Sequence, residues 1–357
     1  MKTRWGAALV VSGLLASGLL VAQSSSGSSL LILSKRGHTL AIVDPSSLKV
    51  LAKVPVGDDP HEVIASADGQ TAYVSNYGGG SLHTLARVDL VGQKALPAIE
   101  LEPLHGPHGL TFVGGKMWFT AEGSKVIGRF DPATQKVDWV LGTGQDRTHM
   151  IWVSADEKKI VTANVASGTM SLMELVARRQ GPGGPPPARI GGAVGGTPQG
   201  PPPGPRGADW EETVVKVGNG SEGFDVLGDG QTVWVGNAQD GTVSIVDFAS
   251  KKVIDTLALN VRGANRLKFT LDGKTALISS LGGSDLVFVD VASRKVVKRL
   301  KIGTGAAGIV MQPDGARAFV ACSPDDYVAV IDLKTMEVVG KIDAGGEPDG
   351  MAWAVKR

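Results

Sequence analysis

The chain has 357 residues, 42% hydrophobic and 20% charged, which is enough for two ordinary domains or one large all-β unit and excludes disorder of the whole chain. A formal net charge of +1 gives no strong field for a nucleic acid or an anionic membrane, so no nucleic-acid partner is indicated. One cysteine excludes an intramolecular disulfide, a thiolate zinc site and c-type haem attachment. Forty-nine glycines with only 5% aromatic residues favour many tight turns and an all-β fold.

The N-terminus has the pattern of a secretory signal peptide. Lys2 and Arg4 precede an apolar run over residues 6–22, and a small, polar run over residues 23–29 follows. The apolar run is at or below the roughly 17–25 residues that cross a bilayer, which favours cleavage over an uncleaved anchor. We expect residues 1–23 to be removed, the mature protein to be periplasmic or secreted, and no transmembrane segment to remain.

Internal repeats organise the rest of the chain. An aspartate closes an apolar alternating run at Asp44, Asp89, Asp131, Asp247, Asp290 and Asp332. The intervals of 45, 42, 43 and 42 residues are nearly constant, apart from the interval between Asp131 and Asp247. Glu174, 43 residues after Asp131, supplies the missing copy. The distance from Glu174 to Asp247 also matches the period, at 45 residues, once a 28-residue insertion over residues 180–207 is subtracted. The spacing therefore predicts seven units.

A second marker with the same period predicts hairpins inside each unit. Asp-Gly pairs recur at Asp68, Asp229, Asp272 and Asp314, and Asp156-Glu157 is a degenerate copy. We expect type I′ turns with positive φ at both central residues. In the unit that begins at Ser221, the four strands are predicted over residues 224–227, 232–236, 242–247 and 253–259, and we name them a, b, c and d.

Seven units of four antiparallel strands predict a seven-bladed β-propeller over residues 30–357. The chain begins at Leu30 with strands b, c and d of one blade, and residues 350–355 supply an unmatched strand a. The two ends of the chain would therefore complete one blade and close the ring. We expect a monomer.

Two blades carry motifs that resemble a known repeat family. Tyr73-Val74-Ser75-Asn76, Trp234-Val235-Gly236-Asn237 and the run over residues 241–247 look like the YVTN-type β-propeller repeat. The resemblance covers nearly the whole mature chain and implies an exported propeller. Fold alone assigns no activity, because propellers include binding proteins, scaffolds and enzymes.

The third blade has a narrower resemblance. Residues 106–112, Trp118-Phe119-Thr120 and residues 127–132 are similar to repeats of the virginiamycin B (streptogramin) lyase family. That family places its acid-base histidine and metal-binding glutamates in later blades, whereas all six histidines here occur at or before His149. The resemblance implies a metal-assisted lyase or hydrolase as the alternative function.

The insertion over residues 180–207 holds 19 Gly or Pro among 28 residues, a composition that cannot bury a core, and we expect it to be disordered. It separates strands c and d of blade four. It is either a partner-binding or tethering arm or a tolerated loop expansion.

Candidate ligand-binding residues lie at the start of each strand a, on the face that carries the links from strand d to strand a. The residue seven positions before each hairpin aspartate is polar in four blades and is Ala307 in a fifth. The dipeptides Pro107-His108 and Pro348-Asp349 add two more polar residues. The six polar residues are His61, His108, His149, Glu222, Asn265 and Asp349.

Side chains that converge at one channel mouth suit a small polar ligand, and the alternative is a protein partner. His61, His108 and His149 are candidate ligands of a divalent metal, although no cofactor is required. The competing interpretation is that duplicated repeats inherit polar residues that face water. The leading hypothesis is an exported binding or scaffold propeller with its ligand face at the channel mouth.

Overall fold

The computed structural model describes residues 27–177 and 207–355. The expected signal peptide lies outside these residues, and so does the expected insertion apart from Gly207. The described chain forms seven sheets, each of four antiparallel strands, so the predicted seven-bladed propeller is confirmed. Within the described part, secondary structure other than strands and turns is limited to short 3₁₀ segments at Gly78–Gly80, Glu122–Ser124 and Ser323–Asp325.

Blades are numbered in chain order, and the innermost strand of each is strand a. The a strands of blades two to seven and then of blade one are Pro60–Ala65, Pro107–Val113, Thr148–Val153, Ser221–Val226, Ala264–Phe269, Ala306–Met311 and Pro348–Val355. The b strands of blades one to seven are Ser28–Ser34, Thr71–Asn76, Lys116–Ala121, Lys159–Asn164, Thr232–Asn237, Thr275–Ser280 and Arg317–Cys322.

The two outer strands follow the same order. The c strands of blades one to seven are Thr39–Val43, Thr84–Asp89, Val126–Asp131, Thr169–Ala177, Thr242–Asp247, Asp285–Asp290 and Tyr327–Asp332. The d strands are Val50–Pro55, Lys94–Glu100, Lys136–Gly142, Ala208–Lys216, Lys252–Leu257, Lys295–Lys301 and Glu337–Ile342.

The ring closes as the sequence predicts. Strand a of blade one, near the C-terminus, pairs antiparallel with Ser28–Ser34, so that Leu30 lies opposite Trp353 and Ile32 opposite Met351. Each a strand contacts the a strands of both neighbouring blades, which makes a continuous inner ring around the channel.

The core lies between blades, because alternate residues of a strand face opposite sides of its sheet. In strand b of blade one, Leu31 and Leu33 pack against blade two, whereas Leu30 and Ile32 pack against blade seven. All four side chains are fully buried. Within residues 27–177 and 207–355, no helix has the length and apolarity to span a membrane.

The hairpins between strands a and b differ from the prediction. Gly69 has φ of 67°, but Asp68 does not adopt a positive φ, so the expected type I′ turn is wrong. The backbone N–H of Gly69 donates to the carbonyl of Ser66 over 2.9 Å, and Asp68 accepts a hydrogen bond from Gln70 N–H. This is a type I turn followed by one left-handed residue, which needs glycine at a single position.

Strands b and c of blade five lie close to their predicted bounds, but strand a begins at Ser221 rather than at residue 224. A β-bulge explains the difference: Ser221 pairs with Asn237 and Phe224 with Val235, so three steps on strand a match two on strand b. The bulge interrupts the alternation from which the strand was predicted.

Candidate functional site

The second residue of every inner strand lines a single cavity of about 520 Å³ at one mouth of the channel. All six predicted polar residues are brought together there, with Ala307 as the seventh. In blade order from blade two they are His61, His108, His149, Glu222, Asn265, Ala307 and Asp349. Whether this ring binds a ligand remains a prediction.

The β-bulge places these side chains at the cavity. In blade two, Pro60 pairs with Asn76 and Val63 pairs with Val74, so His61 is displaced from the ladder. The same shift occurs at the start of strand a in all seven blades. Bulges re-aim side chains in this way.

The residue before each inner strand is left-handed. Seven positions share positive φ values between 45° and 68°: Asp59, Gly106, Arg147, Gly220, Gly263, Gly305 and Glu347. This conformation costs a residue with a side chain about 1–2 kcal/mol. Three of the seven positions nevertheless hold Asp59, Arg147 and Glu347, which suggests that these side chains have a function at the site. Arg147 and Glu347 line the cavity, and Asp59 contacts His61 at 3.1 Å.

A second ring of residues, which the sequence analysis missed, follows the b strands. Its members recur with the same period as the first ring: Lys35, Tyr77, Glu122, Val165, Ala238, Leu281 and Ser323. Four of them, at positions 35, 77, 281 and 323, line the cavity. The repeat period alone would have found this ring.

His149 is held between two carboxylates. Its Nδ1 bonds to Glu122 Oε1, and its Nε2 lies 2.9 Å from Glu222 Oε2. Burial acts to lower the pKa of His149, but Glu222 and Glu122 outweigh it and raise the pKa to about 9. Burial acts to raise the pKa of each carboxyl group, but His149 lowers both. At neutral pH the group is therefore an imidazolium between two carboxylates.

The other oxygen of Glu122 has two further partners. The Tyr77 hydroxyl donates to Glu122 Oε2 over 2.5 Å, and Arg147 Nε donates to the same oxygen over 3.3 Å. Burial and the Glu122 contact raise the pKa of Tyr77 to about 12, so the phenol stays protonated. Glu122 is only 5% exposed and is satisfied at both oxygens.

One ring nitrogen of His108 has no hydrogen-bond partner among the described residues. Its ring lies 3.8 Å from that of His149 and 5.0 Å from that of His61, measured between centroids. Burial, with the positive charge of His149, lowers the pKa of His108 well below its usual value, so the ring is neutral. Among the described residues, nothing hydrogen-bonds to His108 Nδ1, although the side chain is 2% exposed.

His61 belongs to a separate charged group between blades one and two. Lys35 Nζ donates to His61 Nε2 over 2.8 Å, and Asp349 Oδ2 lies 3.6 Å from His61 Nδ1. Lys35 also lies 3.7 Å from Asp349 and 3.5 Å from Asp59. Burial is the largest cause that lowers the pKa of His61, although Asp349 opposes it.

An ion pair crosses the channel one residue further along the inner strands. Glu62 of blade two bonds to Arg266 of blade six, and both residues are less than 10% exposed. Arg266 also lines the cavity. The pair therefore connects blades on opposite sides of the ring beneath the cavity.

One group of side chains in the described part of the chain brings three potential metal ligands close together. Among residues 27–177 and 207–355, only His108, Glu122 and His149 have three potential ligand atoms within 4.8 Å of one another. His61 was predicted as a metal ligand beside His108 and His149, but Glu122 takes the third position in this group.

Comparison with known proteins supports the fold class. A family model described as YNCE-like beta-propeller matches residues 207–317, and the chain is a β-propeller repeat protein. No curated protein sequence matches significantly. None of these findings tests the lyase resemblance of blade three, which stays a prediction.

Solved structures with the same fold include proteins of different function. A putative 6-phosphogluconolactonase from Bacteroides fragilis shares 16% identity, with a TM-score of 0.68 over 93% of this chain and 99% of that chain. A functionally unknown protein from Desulfotomaculum acetoxidans shares 13% identity, with a TM-score of 0.67 over 91% and 98%. Hydrazine synthase from Kuenenia stuttgartiensis shares 15% identity, with a TM-score of 0.62 over 82% and 88%. At these identities the likeness is one of fold alone.

Proposed function

We propose that this propeller binds a small polar molecule in the cavity at the channel mouth, outside the cytoplasm. The observation that carries the proposal is the ring itself: six of seven inner strands place a polar or ionisable side chain in one cavity. A volume of about 520 Å³ lies within the range of small-molecule sites, which is about 300–1,000 Å³. The cellular location rests on the N-terminal signal pattern.

The cavity wall carries both signs of charge, which suits a ligand with both acceptors and donors. Lys35 and Arg147 offer cationic donors, and Arg147 is 44% exposed at its side chain. Glu222 and Asp349 offer carboxylate acceptors, and Asn265 offers an amide. A purely apolar ligand would leave these groups desolvated and unpaired, which costs free energy.

The test is a thermal-shift screen of small polar compounds in the presence of EDTA, followed by calorimetry on each hit. A ligand at a hundred times its dissociation constant stabilises the fold by about 2.7 kcal/mol. We expect the double variant His61→Ala/Asp349→Ala to lose the shift, because both side chains line the cavity.

The matched control is His83→Ala/Asp343→Ala, which changes the same residue types outside the cavity. It should keep the wild-type shift. If no compound shifts the wild type, or if both double variants respond like the wild type, the ring does not bind a ligand of this kind.

A metal-assisted lyase or hydrolase is the second candidate, and it is favoured by the close approach of Glu122 to His108 and His149, which line the cavity. Such an enzyme needs a titratable group near the reacting proton and a charge stabiliser. Mass spectrometry of a confirmed ligand after incubation tests it: gain of one water indicates hydrolysis, and an unsaturated product indicates elimination. An unchanged ligand favours binding alone.

A further inference from the structure

We infer that His108, Glu122 and His149 bind one divalent transition-metal ion, with a coordination position open to the cavity. Two imidazoles and one carboxylate form a known ligand set for catalytic zinc. The three side chains come from blades three and four, and their potential ligand atoms lie within 4.8 Å of one another. Each side chain is 5% exposed or less, so water does not compete freely for the site.

The unpartnered nitrogen of His108 is an independent observation that points to a ligand. A buried polar atom without a hydrogen bond is unfavourable, because it has lost its contacts with water and gained no partner. His108 Nδ1 is such an atom among the described residues, and the side chain lines the cavity. A metal ion at this nitrogen would satisfy it.

The groups around the three ligands match the outer shell of a metal centre. Metal-bound histidines commonly donate their second ring N–H to a carboxylate, which fixes the orientation of the ring. Glu222 lies 2.9 Å from His149 Nε2 and fills that role, so the ion would replace the Nδ1 proton, which now bonds to Glu122 Oε1, and would release it to solvent. Tyr77 and Arg147 hold the second oxygen of Glu122.

His61 does not belong to this centre, although it faces the same cavity. Its Nε2 accepts a hydrogen bond from Lys35 at 2.8 Å, so a cation at that nitrogen would have to displace an ammonium group. His61 is therefore expected to contact the cavity ligand rather than the ion.

Three protein ligands leave at least one position for an exogenous ligand, as in catalytic rather than structural zinc sites. His108 and His149 line the cavity, so this position faces the space where the polar molecule would bind. The link between the ion and that molecule rests on the proposed function, but the metal site itself does not.

The experiment titrates Zn²⁺ alone into EDTA-treated, desalted full-length protein, with calorimetry for affinity and elemental analysis for stoichiometry. We expect one ion per chain. His108→Phe keeps an aromatic ring in the stack but removes the nitrogen, and should weaken binding at least 100-fold. Glu222→Gln should weaken it about 10–100-fold, as is typical of outer-shell changes.

His83→Phe is the matched control, since His83 lies outside the cavity, and it should bind Zn²⁺ like the wild type. His61→Phe should keep the stoichiometry. If the wild type binds no Zn²⁺ saturably, or if His108→Phe binds as tightly as the wild type, the inference is wrong.

Failure of the metal site and failure of ligand binding are distinguishable. A ligand that binds in EDTA to a protein without Zn²⁺ affinity contradicts only the metal site. Saturable Zn²⁺ binding that His108→Phe abolishes, with no response to any polar compound, supports the metal site and contradicts only the proposed ligand function.

Discussion

At the scale of single residues, the third position of the inner strands controls how closely the blades approach. Four blades have glycine there, and a Cβ atom at each would overlap the carbonyl oxygen of the second residue in the next blade's inner strand. Gly223 meets Asn265 in this way, and Gly308 meets Asp349. Because the backbones of neighbouring inner strands approach so closely, the second residues of these strands lie near one another around the cavity.

Gly223→Ala is predicted to lower the free energy of unfolding by about 2 kcal/mol, because the added methyl group forces a shift of the neighbouring backbone. Urea denaturation measures the loss. Gly228→Ala in the same blade is the control: its Cβ would meet nothing within 4 Å, so a change under about 0.5 kcal/mol is expected. Equal effects of the two changes would contradict the steric explanation.

The sequence analysis found one ring of the site and missed the other. His61, His149, Glu222 and Asn265 were found because they lie a constant distance before the hairpin aspartate, and the Pro-His and Pro-Asp dipeptides added His108 and Asp349. Tyr77 and Glu122 share the same period but follow strand b, where only the repeated Asn of the YVTN-like motif had been noticed. The contacts of Glu122 with His149 join two blades, and such pairing is not visible in a period.

At the scale of elements, the hairpin between strands a and b keeps its turn even where its glycine is replaced by another residue. Glu157 occupies the glycine position of this turn in blade four, with φ of 55°. Its N–H donates to the carbonyl of Ser154 over 2.8 Å, as that of Gly69 does to Ser66. The turn is therefore retained, with backbone strain at one residue.

Glu157→Gly is predicted to stabilise the fold by about 0.5–1 kcal/mol. The change removes the cost of a left-handed backbone at a residue with a side chain, and the greater conformational entropy of glycine in the unfolded chain offsets part of this gain. The contact of Glu157 with Arg129 is long, at 3.8 Å, and partly open to solvent, so losing it contributes little. Gly230→Ala, in the same turn of blade five, should instead destabilise by about 1 kcal/mol, because Gly230 has φ of 64° and no steric neighbour. Thermal and urea unfolding would show opposite signs, and the same sign would refute the argument.

The lowered pKa values of the aspartates that end the c strands lead us to expect a smaller free energy of unfolding in acid. Hydrogen bonds from Ser250, Ser293 and Thr335 lower the pKa values of Asp247, Asp290 and Asp332 respectively. Because the folded pKa values lie below the unfolded value near 3.9, this stability is present above that value and is lost as pH falls through the folded pKa values.

The triple variant with Asn at positions 247, 290 and 332 should therefore lose less unfolding free energy than the wild type between about pH 5 and pH 2. Urea unfolding at a series of pH values measures this. Identical pH slopes for the two proteins would show that these turns do not contribute to the acid dependence.

At the scale of the molecule, the seven blades and their closure were predictable because both depend on spacing. The Asp period fixed the number of units, and the unmatched strand near the C-terminus indicated the partner of Ser28–Ser34. The alternation of apolar residues did not give the first residue of strand a in blade five, because the bulge at Ser221 interrupts that alternation. The ion pair between Glu62 and Arg266 was also missed, since it joins distant blades.

Deletion of residues 350–357 should destabilise the protein far more than deletion of residues 182–205. The first change removes most of the strand that pairs with Ser28–Ser34 and opens the ring. The second leaves intact the pairing of strands c and d in blade four, which runs from Thr169 with Lys216 to Ala177 with Ala208. Urea midpoints compare the two variants, and equal losses would contradict the importance of closure.

The joint between the first and last strands also has a consequence for biosynthesis. Ser28–Ser34 pairs with Pro348–Val355, so this strand has no partner until the other six blades have been synthesised. The wall where Lys35 contacts Asp349 therefore does not exist on a nascent or C-terminally clipped chain. Ligand binding at this wall would therefore distinguish molecules with a closed ring from those in which the ring is still open.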